Sequence, residues 1–239
     1  MAKCPTRRWG AVARSVPAAA LAVGLAFSLL TGTAGAASSP GKSALSTARK
    51  ALLVLSDMPK GWMSSSSSGG NSSFPGEAQL ATCIGVPKSV ITSNPPSATS
   101  PDFNSKDDLL MVGDSVAVYR HAKLAAAEHA ALGNAKTPGC MTTIFNGAAK
   151  ASIEKSFGSG TTLGAVVVAR TPTADYAPGT INLTLYFPII SDGVTVNVQI
   201  TEVDYVRGNE EGQVTFTAFN STFPASLSRS LMALADKRL

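Results

Sequence analysis

From residue 181 onward the chain alternates between apolar and polar positions. INLTLYFPII sets Ile181, Leu183, Leu185, Phe187 and Ile189 on one side, with Asn182, Thr184 and Tyr186 on the other. That period of two predicts a strand with one apolar face. After SDG the alternation resumes in GVTVNVQITEVDYV, where Val194, Val196, Val198 and Ile200 oppose Thr195, Asn197, Gln199 and Thr201. RGNEEG then leads into QVTFTAF. Turns this short make consecutive strands antiparallel neighbours. Upstream, LLMVGDSVAVY reads as a strand with Gly113 placed for a bulge, and LGAVVVART as one more strand. The pattern predicts an antiparallel sheet of about five strands.

Helical spacing frames that sheet. Leu45, Ala48, Leu52 and Leu55 recur at three, four and three residues, the spacing of one helical face. RHAKLAAAEHAAL predicts an alanine-rich helix ended by Gly133, and Thr137-Pro138 opens another through Cys140, Met141, Ile144 and Phe145. Leu227, Leu231 and Leu234 mark a last helix, with Lys237 and Arg238 suited to its C-terminus. The expected fold class is therefore α+β: an antiparallel sheet with helices packed on one face, leaving the Thr, Asn, Gln and Tyr face to water or a ligand. Between Met63 and Asp107 serine, proline, glycine and asparagine dominate around TCIGV. Composition predicts one long loop at 63–107, tethered at Cys83, with SSSSSGGNSS disordered. Trp62 stands at the head of that loop, just after Ser56-Asp57, Pro59 and Gly61 stop the first helix. Its ring is placed either to close the end of the core or to meet a ligand.

The first residues change how composition is read. MAKCPTRRWGAVARS has four basic residues and no acid, an apolar run follows from Val16 to Leu30, and Ala34 and Ala36 give an A-x-A cleavage pattern. This predicts a signal peptide at 1–36, a stub at 37–42 and one α+β domain at 43–239. The apolar run is shorter than the ~20 residues a spanning helix needs, so no membrane anchor is expected after cleavage. Cys4 precedes the run, away from the cleavage point where a lipoprotein carries its cysteine. The formal charge of the 239-residue chain is +5, with 20 basic and 15 acidic residues. Cleavage removes four basic residues and leaves 16 against 15. The basicity belongs to the leader, and a nucleic-acid partner is excluded. Export also leaves Cys83 and Cys140 as one pair in an oxidising compartment, either disulfide-bonded or as two buried thiols.

Three stretches carry a resemblance: the leader, LLVLSDMPKGW, and VAVYRHAKLAAAEHAAL with TPGCMTTIF after it. Together they resemble small exported domains of actinobacteria, similar to the extracellular sensor domain of the mycobacterial kinase PknH and, more distantly, to LpqN-type secreted proteins with a PsbP-like sandwich. The resemblance implies an α+β sandwich, an exported address and a ligand-sensing or interaction role, with Cys83 and Cys140 at disulfide-type positions. It carries no catalytic signature. The chain departs from it in having cysteines for one disulfide where the kinase domain has two, no kinase domain, and no lipobox cysteine.

Candidate chemistry is sparse. Gly113-Asp114-Ser115 resembles the nucleophile block of GDSL-type hydrolases, but His121 and His129 follow closely instead of coming late as the base. Ser152-Ile153-Glu154-Lys155 has the S-x-x-K spacing of penicillin-recognising enzymes without their S-D-N and K-T-G motifs. His121, Glu128 and His129 do not form H-E-x-x-H and read as solvated helix surface. No metal site and no cofactor are expected. Two features remain. Trp62, Tyr186, Asn197 and Gln199 form a candidate ligand site in which rings supply area and amides supply direction. The serine-rich stretch before Cys83 reads as a spacer. The expected function is an exported, non-enzymatic binding or sensing module at the cell envelope or outside the cell, its partner a small molecule, a lipid or an envelope protein. The alternatives are a serine hydrolase using Ser115 or Ser152, and an envelope carrier of an apolar ligand.

Overall fold

The alternating segments form the two long hairpins at the centre of the molecule. In this computed structural model, which describes residues 40–66, 76–158, 160–172 and 176–239, β7 (Ile181–Ser191) pairs antiparallel with β8 (Val194–Arg207), and β8 with β9 (Glu210–Phe219). Asp192 and Gly193 turn the first hairpin with φ of +50° and +75°, as a type I′ turn requires at both positions. Gly208 at φ +61° opens the two-residue turn of the second.

Six more strands extend the sheet on either side. β4 (Leu110–Val118) pairs with β9 and carries β2 (Ser97–Thr99) and β3 (Asp102–Asn104) on its far edge. Beyond β3 lies β1 (Met63–Ser65), while β5 (Thr161–Leu163) and β6 (Val167–Arg170) share the outer edge of β7. The order is β1-β3-β4-β9-β8-β7-β5, antiparallel throughout, with nine strands among the described residues. The α+β antiparallel class holds, and the strand count exceeds the five expected.

One of the extra strands arises because LGAVVVART, read above as one strand, supplies the end of β5 and all of β6. It splits because the Asn146 side chain takes the Val166 backbone, accepting from its N–H at 2.9 Å and donating to its carbonyl at 2.7 Å. Other extra strands lie in 63–107, expected to be a single loop. That segment holds β1, β2 and β3 together with α2 (Glu77–Ile84) and α3 (Lys88–Ile91). Elements of three to eight residues are too short for periodicity to show. The signal peptide at 1–36 lies outside the described residues. The stub expected at 37–42 overlaps α1 (Pro40–Ala51), whose proline suits a first helical position.

The remaining helices are α4 (Ala122–Leu132), α5 (Thr137–Asn146), α6 (Lys150–Ser156) and α7 (Ala225–Arg238). They cover both faces of the sheet, correcting the expectation of one. On the face of Leu183, Leu185 and Ile200, the cover is Leu80 and Ile84 of α2, Met141 and Phe145 of α5, and Ile153 of α6. Cys83 and Cys140 are disulfide-bonded, joining α2 to α5 over this core. On the opposite face Val203, Val214 and Phe216 pack under Leu231, Met232 and Ala235 of α7, and Val116 and Val118 under α1. Because β8 alternates, Ile200 enters one core and Val203 the other. Each core occupies one half of a shared sheet.

Candidate functional site

The two-core arrangement leaves a strip of sheet where the alternation should place apolar residues and instead places acids. Residues directly opposite in register share a face. On the face of Leu183 and Ile200, Glu202 stands between Leu183 and Thr215, Asp204 between Ile181 and Gln213, and Glu211 opposite Val206. On β4 the same rows continue as Gly113 and Ser115. Glu202, Asp204, Glu211, Gln213, Ser115 and Thr217 are all buried. α4 packs across β8 and β9 at this point and contributes a fourth acid, Glu128, which is 1% exposed. Glu128 therefore corrects the solvated-surface reading: it is the inward member of a helix whose Lys123 and His121 face solvent.

The hydrogen bonds are too few for these groups. Tyr119 sets its hydroxyl 2.7 Å from Glu128 Oε2 and 2.8 Å from Glu211 Oε2. Glu128 Oε2 also accepts from the Ser93 hydroxyl, and Asp204 Oδ1 accepts from Gln213 Nε2 at 3.0 Å. Both oxygens of Glu202, Asp204 Oδ2, Glu211 Oε1, Ser115 Oγ and Thr217 Oγ1 are buried without a partner. Among the described residues, no lysine, arginine or histidine forms an ion pair with any of the four acids.

Burial consequently dominates their titration. It lifts Glu202 well above the usual carboxylate range, helped by neighbouring Asp204. It raises Asp204 to about 7 against the Gln213 hydrogen bond, and Glu128 to about 7 against its bonds from Ser93 and Tyr119. Glu211 reaches about 9 through burial and the proximity of Glu128 and Asp204. Beside the strip, Met111, Phe157, Phe187, Ile200, Thr217 and Phe219 line a cavity of about 10 Å³, room for a single water. A lipid would require it to widen.

The residues singled out from sequence lie elsewhere. Tyr186 and Gln199 are cross-strand partners and Asn197 faces Pro188. All three sit on the other face of β7 and β8, beyond the reach of α7, where Tyr186 is 45% exposed. Trp62 precedes β1 and packs against the α7-side core. Four strand spacings of about 4.8 Å separate β1 from β8 and five separate it from β7, so roughly 19–24 Å along the sheet lies between Trp62 and the other three. Ser115 lies mid-strand with its Oγ unpartnered, and His129 Nε2 meets the Gly179 carbonyl at 2.7 Å instead of a serine. Ser152 is exposed on α6. Sequence reading missed the acids, yet it held a signal for them: in VNVQITEVD the apolar side of the alternation passes from Ile200 to Glu202 and Asp204 without a break.

No protein-family model matches the chain, and no curated protein matches it. Among solved structures, the crystal structure of the extracellular domain of PknH from Mycobacterium tuberculosis aligns with a TM-score of 0.41 at 13% identity, over 82% of this chain and 96% of that one. Among the described residues no helix is long and apolar enough to cross a membrane, and no three His, Cys, Asp or Glu side chains are disposed to hold a metal ion.

Proposed function

We propose that the chain is an exported, non-enzymatic binding or sensing module working in the cell envelope or outside the cell. One observation carries the reading: the six unpartnered buried oxygens of Glu202, Asp204, Glu211, Ser115 and Thr217 on one sheet face. A buried acceptor without a donor costs about 1–3 kcal/mol, and more when charged. Isoleucine or leucine at these positions, as on neighbouring β7, would avoid that cost. Retaining acids there makes sense when something outside the covalent chain answers them. The Cys83–Cys140 disulfide suits an oxidising address, and the apolar run after the basic leader suits export.

Native mass spectrometry of the chain recovered from medium or envelope tests this. The expected species starts at Ala37, keeps its disulfide, and carries a non-covalent adduct that denaturation removes. A chain without adduct, labelled at Ser115 or Ser152 by a fluorophosphonate, would replace this reading with a serine hydrolase. A lipid adduct would turn it into a carrier.

A further inference from the structure

The acid cluster has a feature that fixes its protonation independently of any titration. One phenolic hydroxyl, that of Tyr119, touches carboxyl oxygens of both Glu128 and Glu211. It has a single proton to donate. Glu128 Oε2 already accepts from Ser93, which marks it as the acceptor of the Tyr119 proton. The contact to Glu211 then needs a proton on Glu211 Oε2, donated to the phenol oxygen. The result is a chain running Glu211, Tyr119, Glu128, Ser93. It starts in the interior and ends at a partly exposed serine in the connection between α3 and β2.

Building on the sensing reading above, we propose that this cluster is a proton sensor and that α4 is the element it moves. With the acids protonated, Glu202, Asp204 and Glu211 lie neutral beneath α4, and Glu128 anchors that helix through Tyr119 and Ser93. As the protons leave, up to four negative charges gather in one buried strip. The groups facing it from the packed elements offer no relief, and α3, packed on α4, has as its one charged residue the exposed Lys88, which forms no ion pair with the four acids. β8 and β9 contribute Glu202, Asp204 and Glu211, and β7 presents only Ile181 and Leu183. β4 presents Ser115, and β3 brings acidic Asp102 over Gly113. From α2, Glu77 adds a further unfavourable field at Glu128. Like charges in a dry site repel strongly. The weakest cover is α4, whose inward contacts are alanines, Leu132 and Glu128 itself. Its release exposes the hydrogen-bonding strip, so a rise in pH becomes a new surface.

Hydrogen exchange of the purified chain, disulfide intact, referenced to intrinsic rates at each pH, reads this out. From pH 5 to pH 9 the protection of residues 122–132 should fall at least tenfold more than that of α7, which follows only the global loss of stability. Glu202→Gln with Glu211→Gln should flatten the response of α4, and Glu211→Gln alone should reduce it should the double variant fold poorly. Constant protection of α4 in the parent chain, or a fall shared equally by α7, overturns the proposal. An adduct seen by native mass spectrometry alongside constant α4 protection would retain the binding module and remove the proton as its signal.

Discussion

Replacing Glu211 with glutamine should stabilise the protein at neutral pH and do little in acid. In the fold Glu211 holds a proton up to about pH 9 because burial, Glu128 and Asp204 all oppose its charge. In the unfolded chain it ionises near its ordinary value of 4.5. The folded state thus binds one proton more than the unfolded state between those limits. The sign follows: a raised folded pKa means stability fully present below 4.5, declining as pH rises and level again above about 9. At pH 7 the interval from the unfolded value is about 2.5 units, which at 1.36 kcal/mol per unit amounts to roughly 3 kcal/mol. Glutamine does not ionise, and its amide N–H can donate to the Tyr119 oxygen as the carboxylic acid does. Urea unfolding of parent and Glu211→Gln at pH 4, 5.5, 7 and 8.5 gives the comparison. The variant should match the parent within about 1 kcal/mol at pH 4, the worth of one altered hydrogen bond, and exceed it by about 3 kcal/mol at pH 7. A stability difference independent of pH would refute the claim that Glu211 is buried as an acid.

Three further outcomes follow from the structure. Reducing the Cys83–Cys140 bond, which spans 57 residues, should cost about 4 kcal/mol on the chain-entropy estimate, read as a lowered melting temperature by calorimetry. Gly212→Ala should destabilise by about 1–3 kcal/mol by overpacking, because its Cβ would stand 2.2 Å from Tyr205 Cζ; Tyr205→Leu in the same chain should recover part of the loss. Arg238→Met removes a two-pronged pair with Asp57 at 2.7 and 2.8 Å and the bond to the Leu52 carbonyl. At this partly exposed site, about 1–2 kcal/mol should be lost at pH 7. Asp57 is held below the usual aspartate range despite its burial, by its bonds from Arg238 and Val54, so this loss should shrink as pH falls through the folded pKa, leaving only the share owed to the Leu52 carbonyl.

The long strands and terminal helix were legible because each buries a face along its whole length. Ile181 to Ile189 alternate within a strand of eleven paired residues, Ile181–Ser191, and Leu231 sits where helical spacing puts it. Without the leader, Cys83 and Cys140 are the one possible pair, and the structure decides between a bond and two thiols in favour of the bond. The short strands between 63 and 107 were not legible, since three residues cannot show a period and Phe103 is a single apolar anchor in a polar stretch. Nor was the second core. Val203, Val214 and Phe216 fall on the side assigned to solvent, and only the return of α7 across the sheet buries them. Trp62 followed the helix stop into that same core. Exposed amides and rings draw the eye to the open end of β7 and β8, whereas Glu202 and Asp204 lie in the middle of a strand whose face reads as apolar.

Carboxylic acids that stay protonated inside the fold, at a pH where free carboxylates are ionised, leave their mark on the proton balance of folding. The most direct measurement is proton exchange with the medium on folding, followed by a pH indicator during refolding from urea at pH 6. Net proton uptake, on the order of four protons per chain, is expected, because the cluster ionises in the unfolded state and not in the folded one. Folding without uptake, or with release, would contradict it.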